Sequence, residues 1–438
     1  MKVAIYTLGC KVNQYETQAM EQELLARGHT LTEFSDEADA YIVNTCSVTA
    51  VSDQKSRQVI HGVQRKHPGA VVAVCGCYPQ THADNVRKLG VDLISGTGDR
   101  TGFIRLLEEA AAEKRQIEAI DQPFERRVFE VLPAGGLGGR TRAMLKVEDG
   151  CVNFCTYCII PKLRGPYRSV PMEELIAEAK TMAEQGVKEL VLVAQETTIY
   201  GIDLYGKPSL HLLLKELCKI QELYWIRILY CYPEDIYPEL VQTMKEEPKV
   251  CHYLDLPIQH ANDEILRRMG RRTSKQELID KIDFLRSEMP DITLRTTLIT
   301  GFPGETKEQH KELLEFINDM EFDRLGVFTY SPEEGTPAAA MEHQIDEEVK
   351  LDRQAELMEL QQDISAELGE RRIGQELLVM IEGKVADEDA YVGRSQADAP
   401  GVDGYVFVNT PETLVSGDFV RVKITGALEY DLIGEISQ

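Results

Sequence analysis

Three cysteines stand within eight positions of the stretch EDGCVNFCTYCIIPKLRG, residues 148–165: Cys151, Cys155 and Cys158. A redox C-x-x-C motif needs only two thiols, and a tetrahedral structural zinc site needs four ligands. Thiolates are the usual ligands of iron–sulfur clusters, which generally take four of them. Three protein thiolates would therefore leave one iron open for a substrate or cofactor. A structural zinc ion completed by a distant His or Cys is the alternative interpretation.

Composition narrows the setting of these thiols. A chain of 438 residues is too long for one ordinary core, so about three domains are expected. Met1 is followed directly by the strand-like run KVAIYTLGC, and no apolar stretch reaches the roughly 18 residues of a membrane span. Ten cysteines without an export signal indicate a reducing cytoplasm, where thiols more often bind metals than form disulfides. We expect a cytoplasmic protein without membrane association.

The first block, residues 1–118, alternates short apolar runs with helical patterns. The runs VAIYTL, AYIVNT, AVVAVCG and VDLISG are separated by amphipathic segments such as TQAMEQELLARG. This alternation predicts a parallel α/β domain with crossover helices. A linker is predicted over residues 119–140, because PAGGLGGRTR is rich in residues that break regular structure.

The second block, residues 141–371, resumes the alternation with six candidate strands. They are AMLKVE, KELVLVAQ, WIRILYCY, HYLDLPIQ, ITLRTTLIT and RLGVFTYS. Helical patterns between them predict a full or partial barrel of βα units, closed by the long polar helix DEEVKLDRQAELMELQQDISAELGERR. The cluster of three cysteines follows the first of these strands, at the carboxyl mouth where barrel active sites lie.

The third block, residues 372–438, changes to a period of two. ELLVMIEGKV, GYVFVNT and DFVRVKITG alternate apolar and polar residues, with Gly and Asp between the runs. This pattern predicts a small antiparallel β-barrel.

Cysteines also follow the strands of the first block. Cys10 lies in LGCKVNQYE, Cys46 in VNTCSVT, and Cys75 and Cys77 in VCGCYPQ. The carboxyl ends of parallel strands meet at one sheet edge, which is the usual ligand edge, so these thiols are expected to converge. Taken singly, each is more typical of a buried core thiol. Cysteines at three strand ends together indicate a site.

The motif C-x3-C-x-aromatic-C, with Tyr157 as the aromatic residue, resembles the signature of the radical S-adenosylmethionine (SAM) enzymes. The resemblance implies a partial TIM barrel in which Cys151, Cys155 and Cys158 bind a 4Fe–4S cluster. The amino and carboxylate groups of SAM would bind the open iron. One electron from the cluster would then cleave the sulfonium and release a 5′-deoxyadenosyl radical, so the cofactor carries the difficult chemistry. Tyr157 would lie near the cofactor, and no catalytic side chain is identified.

The order of the three blocks resembles the radical SAM methylthiotransferases from end to end, with the last block as a TRAM barrel. By that resemblance Cys10, Cys46 and Cys77 would hold an auxiliary 4Fe–4S cluster. Cys77 matches the family pattern Gly-Cys-x-x-Gln, and Cys75 is an extra thiol. An electron donor such as flavodoxin or ferredoxin is expected as a partner.

Several strand ends of the second block offer residues for handling the cofactor. LVAQETT places Gln195 and Glu196 after the second strand, where a carboxylate can accept hydrogen bonds from ribose hydroxyls. TLRTTLITGFPGET places Arg295 on the fifth strand and Gly301 in the following loop, where glycine lets the backbone approach a ligand. For Gly301, a simple turn is the alternative interpretation.

The sequence resembles two branches of this family, and the two branches act on different substrates. The stretch GCKVNQYE…NTCSVTAVSDQKSRQ looks like the branch (MtaB) that methylthiolates threonylcarbamoyl-adenosine beside the tRNA anticodon. From the barrel onward, AQETTIYGIDLYG, LRTTLITGFPGET and GRSQADAPGVDGYVFV look like the RimO branch. That branch modifies the β-carbon of an aspartate in the twelfth ribosomal protein of the small subunit.

Charge favours the ribosomal protein. The whole chain carries −25, and residues 373–438 hold 4 Lys or Arg against 12 Asp or Glu, a net charge of −8. A barrel that grips tRNA needs a basic face, whereas an acidic barrel suits a basic ribosomal protein. Asp398 and Asp403, in the loop ADAPGVDG, are predicted to contact that substrate. Acids that merely keep the surface soluble are the alternative.

Two other classes remain open at this stage. The chain could be another radical enzyme with an auxiliary cluster, such as a maturase, or a non-catalytic iron–sulfur or zinc scaffold. Anaerobic reconstitution separates them, because about eight irons with 5′-deoxyadenosine formation fit the enzyme, whereas bound zinc without cleavage fits the scaffold.

Overall fold

The computed structural model describes residues 1–47, 50–127, 129–130 and 141–437. The chain divides into two compact units. The first unit comprises Met1–Val187, Leu192–Ser209 and Ser331–Ala340, and the second comprises Lys188–Val191, Leu210–Tyr330 and Met341–Gln438.

The first unit contains a parallel sheet followed by the start of the second block. Its strands are β1 Lys2–Thr7, β2 Thr30–Thr32, β3 Ala40–Thr45, β4 Val71–Gly76, β5 Leu93–Ser95, β6 Ile117–Ala119, β7 Arg142–Lys146, β8 Glu148–Asp149 and β9 Arg168–Ser169. Its helices are α1 Lys11–Ala26, α2 Ala50–Lys66, α3 Cys77–Arg87, α4 Arg100–Glu113, α5 Ile160–Arg164, α6 Met172–Glu184 and α7 Ile202–Tyr205, with 3-10 turns at Pro123–Glu125 and Pro337–Ala340.

The amino-terminal sheet has the strand order β2-β1-β3-β4-β5-β6, and all its pairs are parallel. Its strands read as continuous apolar runs because helices cover both faces. Ile42 packs with Phe103 in one core cluster, and its neighbours Tyr41 and Val43 pack in another cluster. The predicted parallel α/β fold is confirmed, and the strand ends that precede the cysteines share one edge.

Strand β7 leads into the loop with three cysteines through a short antiparallel pair. Glu148 pairs with Ser169 and Asp149 with Arg168 between β8 and β9. The Val147 N–H donates to the carbonyl of Val193, which ends the next strand, β10 Glu189–Val193. The cysteine loop therefore begins at the carboxyl end of a strand, as predicted.

The second unit holds the remaining βα elements and the terminal barrel. Its strands, besides Glu189–Val191 of β10, are β11 Trp225–Ile228, β12 Val250–Asp255, β13 Thr293–Thr300, β14 Arg324–Thr329, β15 Glu376–Lys384, β16 Ala390–Ser395, β17 Val406–Asn409, β18 Phe419–Ala427 and β19 Leu432–Ile436. Its helices are α8 Leu210–Cys218, α9 Pro238–Glu246, α10 Asp263–Arg268, α11 Lys275–Glu288, α12 Lys307–Met320 and α13 Glu347–Glu370, with a 3-10 turn at Pro233–Asp235.

Strands β11 to β14 pair in chain order and are parallel, with helices in the connections. The register sets Leu254 opposite Leu294 and Arg295 opposite Arg324. All six strands expected for the second block form, and the long closing helix is α13. This arrangement is the one expected for a barrel built from βα units.

The terminal strands close into a barrel in the order β15-β16-β17-β19-β18. The prediction of a purely antiparallel barrel is wrong in one pair, because β17 and β19 run parallel. Five strands in a closed ring cannot alternate direction at every step, so at least one neighbouring pair must be parallel. The interior is apolar and is filled by residues that include Val379, Val406 and Val422.

The predicted linker, residues 119–140, lies partly outside the described residues, which omit 128 and 131–140. Its described part contains the end of β6 and the Pro123–Glu125 turn. The proposed domain boundaries stay predictions. Within the described part of the chain, no helix is both long enough and apolar enough to cross a bilayer.

Candidate functional site

Three amino-terminal thiols lie at the carboxyl edge of the first sheet. Cys10 is the N-cap of α1, Cys46 follows β3 directly, and Cys77 begins α3. Gly9 has φ +106°, and a Cβ built on it would lie 3.2 Å from the Cys46 Sγ. Burial raises the pKa of the Cys77 thiol to about 12, against the lowering effect of the positive charge on Arg164. All three thiols therefore lie at the sheet edge where the sequence places them, and their role as ligands of one cluster stays a prediction.

Cys75 and Cys77, two positions apart, face different surroundings. Cys75 is fully buried in the core cluster of the sheet, as expected for the extra thiol. Cys77 packs instead against Ile159 and Leu163, which follow the three-cysteine motif. Gly76 separates the two with φ +100°, where a Cβ would lie 2.5 Å from the Thr45 carbonyl oxygen. Only glycine fits this turn, and the turn sends Cys77 out of the core.

The second set of thiols lies in the loop after β8. Gly150, at φ +92°, enters this loop so close to the Pro166 carbonyl that a Cβ would overlap it. The Cys151 N–H donates to the Gly165 carbonyl, and the Cys158 N–H donates to the Cys155 carbonyl. Burial raises the pKa of Cys151, and negative charge on Cys158 and Cys155 adds to that rise. The three thiols therefore form one electrostatically coupled group.

Thiolates are the donors that a 4Fe–4S cluster uses, so the residues present fit such a cluster. In the residues that the structure describes, no three His, Cys, Asp or Glu side chains close on one metal ion. Each thiolate ligand of a 4Fe–4S cluster binds a different iron, so the sulfurs need not converge on one point. Buried thiols with raised pKa values become thiolates readily only when cationic iron compensates their charge.

A buried carboxylate, Glu16, connects the two cysteine regions within the first unit. It is 1% exposed and pairs with Arg164 Nη1, with Arg100 Nη2 at 3.0 Å and with Lys146 Nζ at 3.1 Å. Burial alone would raise the pKa of Glu16, but these cations, Arg164 first among them, hold it well below its usual range. Asn13 accepts a further hydrogen bond from Arg164 Nη2 at 3.2 Å.

A second buried carboxylate, Asp149, extends this ion network. It lies 3.2 Å from Lys146 Nζ, 3.5 Å from Arg164 Nη1 and 3.0 Å from Arg168 Nη2. These cations outweigh burial and lower the pKa of Asp149. We define the ion network as Glu16, Asp149, Arg100, Lys146, Arg164 and Arg168. With both acids ionised it carries a net charge of +2.

Glu148 joins the cysteine loop to the predicted cofactor residues of β10. Its Oε1 accepts the N–H groups of Gln195, at 2.8 Å, and Glu196, at 3.1 Å. The Gly150 N–H in turn donates to the Gln195 Oε1 at 2.8 Å. Burial raises the pKa of Glu148 well above its usual range. Glu196 itself is buried and accepts the Thr198 N–H.

Arg295 and Gly301 lie in the second unit. The Arg295 guanidinium pairs with Asp255 at 2.7 Å and with Asp403 at 3.4 Å. Gly301 has φ +70°, a Cβ there would overlap the Lys350 side chain, and its N–H donates to Glu305. These contacts explain both residues structurally, and a role of either in cofactor binding stays a prediction.

Asp398 and Asp403 do not lie on the barrel surface. The Asp398 carboxylate is buried and accepts hydrogen bonds from Arg324 Nη2 at 2.7 Å and from the Ser395 hydroxyl at 2.7 Å. Asp403 Oδ2 accepts the Tyr253 hydroxyl at 2.7 Å, and its side chain is 2% exposed. Both carboxylates are buried and already engaged, so the structure gives no support to the predicted contact with the substrate, which stays a prediction.

Family models match each of the three blocks. The radical SAM superfamily model matches residues 145–317, the uncharacterized protein family UPF0004 model matches residues 2–96, and the TRAM domain model matches residues 373–436. The first of these ranges contains the C-x3-C-x2-C loop, and the second contains Cys10, Cys46 and Cys77.

Curated relatives match the chain over its whole length. A ribosomal protein uS12 methylthiotransferase RimO of Lachnoclostridium phytofermentans is 47% identical, and the match covers 99% of both chains. The proteins of the same name from Desulfitobacterium hafniense and Clostridioides difficile are each 44% identical, over 100% of this chain and 99% of theirs. This chain belongs to the RimO family.

Membership of the RimO family makes the chain a radical SAM methylthiotransferase, an enzyme that transfers sulfur-containing groups. SAM and a 4Fe–4S cluster follow as cofactors, as predicted. Solved structures show the same fold at low identity. The radical SAM methyltransferase TsrM from Kitasatospora setae aligns with a TM-score of 0.53 and 16% identity, over 85% of this chain and 78% of its own. The cobalamin-dependent radical enzyme OxsB aligns with a TM-score of 0.51, over 82% of this chain and 56% of its own.

Three buried charged residues near the cysteines, Glu16, Arg164 and Glu148, were not predicted from the sequence. Glu16 and Arg164 lie inside the motifs CKVNQYE and PKLRG, and Glu148 lies three residues before Cys151. A charged residue next to a cysteine motif is a weak signal by itself. Such a charged residue becomes a strong signal only when it is buried, and its burial depends on the tertiary structure.

Proposed function

We propose that this protein adds a methylthio group to the β-carbon of an aspartate in ribosomal protein uS12, the twelfth protein of the small subunit. The observation that carries the proposal is the presence of two thiol triplets in one compact unit, where Cys77 packs against residues that follow Cys158. The full-length relationship to the RimO family supports the choice of substrate.

The cysteines are assigned to two clusters. Cys151, Cys155 and Cys158 would hold the 4Fe–4S cluster that binds SAM, and Cys10, Cys46 and Cys77 would hold an auxiliary 4Fe–4S cluster. Bound there, the first cluster would supply the electron for reductive cleavage of SAM, and the auxiliary cluster would supply the place for sulfur insertion. The coupling of the thiols within each triplet supports this division.

The surrounding residues fix the geometry of the cofactor pocket. The Glu148 carboxyl accepts two N–H groups at the end of β10, so it holds Gln195 and Glu196 beside the cysteine loop. Gln195 and Glu196 are proposed to bind SAM through hydrogen bonds, with Tyr157 of the motif beside them. Through these two hydrogen bonds Glu148 orients the strand end beside the cysteine loop.

Net charge supports a basic protein substrate. The chain carries −25, and the terminal barrel keeps its net charge of −8 although Asp398 and Asp403 are engaged internally. Complementary charge speeds the encounter with a basic ribosomal protein and would slow the encounter with tRNA. The reaction would take place in the cytoplasm, with a flavodoxin or ferredoxin as electron donor.

The test is mass spectrometry of uS12 and of tRNA nucleosides from cells with and without the gene. The expected result is the loss of one methylthio group from a uS12 aspartate in the deletion strain, with unchanged tRNA nucleosides. Complementation with the parent gene should restore the modification, and the Cys155→Ala gene should not. Loss of a methylthio group from tRNA adenosine, with uS12 unchanged, would assign the protein to the tRNA branch instead.

A further inference from the structure

We propose that Arg164 and Glu16 form a positioning pair that fixes the two cluster-binding segments to each other and sets the reduction potentials of both clusters. The inference rests on the proposed function, because it assumes that both cysteine triplets hold clusters. It goes further, since neither residue binds a cluster in that proposal.

Glu16 lies on the helix that follows Cys10, and Arg164 lies on the short helix that follows the three-cysteine loop. Cys10 caps α1, and Glu16 lies six residues later in the same helix. Arg164 lies six residues after Cys158 and is the last residue of α5. The two side chains meet across 148 residues of sequence through hydrogen bonds from Arg164 Nη1 and Nη2 to the Glu16 carboxylate. Because helices are stiff, this contact constrains the positions of both sets of thiols.

Packing around the pair strengthens the same connection. Leu163 is fully buried against Cys77, together with Ile159. The Thr97 hydroxyl, just past β5, donates to the Leu163 carbonyl at 2.6 Å. The polypeptide on both sides of the ion pair is therefore held against the edge of the amino-terminal sheet.

Charge is the property that separates this pair from an ordinary packing contact. Arg164 is 1% exposed, and its positive charge opposes the rise in the pKa of Cys77 that burial causes. The ion network around it has two more cations than carboxylates. Reduction adds one negative charge to a cluster, so a buried cation nearby favours the reduced state and a buried anion disfavours it.

The experiment is a redox titration, followed by electron paramagnetic resonance, of anaerobically reconstituted full-length protein. Arg164→Gln should lower the ratio of reduced to oxidised cluster at a fixed potential by about tenfold, which corresponds to ~59 mV for one electron. Glu16→Gln should raise that ratio by a similar factor. A merely structural role would move both variants in the same direction.

Three further variants keep the test decisive. The double variant Glu16→Gln/Arg164→Gln removes one charge of each sign and should return the potentials to those of the parent. Arg164→Lys keeps the charge and should lie nearer the parent than Arg164→Gln does. Arg227→Gln disrupts another buried ion pair, with Glu189 at 3.0 Å in the second unit, and should leave both potentials unchanged.

The outcomes distinguish this inference from the proposed function. If the parent binds two clusters but both single variants keep its potentials, or shift them in the same direction, the pairing inference is wrong. If either single variant loses its iron, recovery of iron in the double variant supports the inference, and failure to recover overturns it. A parent protein that binds no second cluster would instead refute the cluster assignment of the proposed function.

Discussion

Neutralising Asp398 tests whether this acid is a structural ion-pair partner or a surface charge. In Asp398→Asn the Arg324 guanidinium loses the carboxylate 2.7 Å away. The Arg324 side chain, which is 14% exposed, remains largely buried. Breaking a buried ion pair by removing one partner costs about 3–5 kcal/mol. Because Arg324 keeps some access to water and Asp403 also attracts it, we expect the lower end, ~3 kcal/mol. That change corresponds to about a hundredfold in the unfolding equilibrium.

The only tryptophan of the chain provides the assay. Trp225 is 4% exposed and packs edge-on against Phe419 of the terminal barrel, with ring centroids 4.9 Å apart. Both residues and Asp398 belong to the second unit, so tryptophan fluorescence during urea unfolding reports on that unit. The matched control is Glu435→Gln, an exposed acid on β19, which should change the free energy of unfolding by no more than about 0.5 kcal/mol.

The pH dependence provides a second check on Asp398. Burial alone would raise the pKa of this carboxyl, but Arg324 and Ser395 together lower it. A lowered folded-state pKa gives stability above the unfolded value of about 3.9, and this stability is lost as the pH falls through the folded value. The difference between parent and Asp398→Asn should therefore be full at pH 7 and shrink below about pH 4. An unchanged unfolding curve combined with a raised Michaelis constant for uS12 would refute this account and restore a surface role.

Three more substitutions test the proposed site. Cys155→Ala should lose the SAM-binding cluster and all formation of 5′-deoxyadenosine, because two thiolates cannot hold it, and normal deoxyadenosine release would disprove the assignment. Cys46→Ala should lose about half of the iron and the methylthio product yet still cleave SAM, so a variant with full iron and product would contradict the auxiliary cluster. Burial raises the pKa of Glu148, so the stability that this acid gives as a neutral group is lost as the pH rises through its folded-state value. Glu148→Gln should keep SAM cleavage and remove the part of the fall in stability that begins as the pH rises above the ordinary glutamate value of about 4.3, as measured by urea unfolding, and an unaltered pH dependence would count against a raised pKa of Glu148.

The elements of this fold were predictable because their signals are local. Strand β3, with the sequence AYIVNT, is buried at every position. A parallel sheet that is covered on both faces requires such a continuous apolar run. The C-x3-C-x2-C motif is likewise a local signal, because few metal sites or cofactors other than iron–sulfur clusters use three thiolate ligands so close together in the sequence. The parallel pair in the terminal barrel was missed because strand direction depends on how the ring closes, which the period-two pattern does not encode.

The burial of Asp398 and Asp403 could not be predicted because the charge of a residue in a sequence does not reveal whether it is buried. ADAPGVDG reads as an exposed acidic loop, and net charge supported that interpretation. In the structure Arg324 donates a hydrogen bond to Asp398, and Tyr253 donates one to Asp403. Both donors lie in elements of the same unit that are distant in sequence. These partners make it favourable to bury Asp398 and Asp403, although isolated carboxylates would stay in water.

The order of residues along the chain already limits the chemistry: it supplies the two sets of thiols, places each after a strand, and indicates three kinds of domain. Folding in three dimensions then sets which thiols share surroundings, with Cys75 in the core of the sheet and Cys77 against the residues that follow the cysteine loop. It also decided that Glu16 and Arg164 meet across 148 residues. The physical reason is that strand and helix patterns depend on neighbours along the chain, whereas burial and ion pairing depend on neighbours in space.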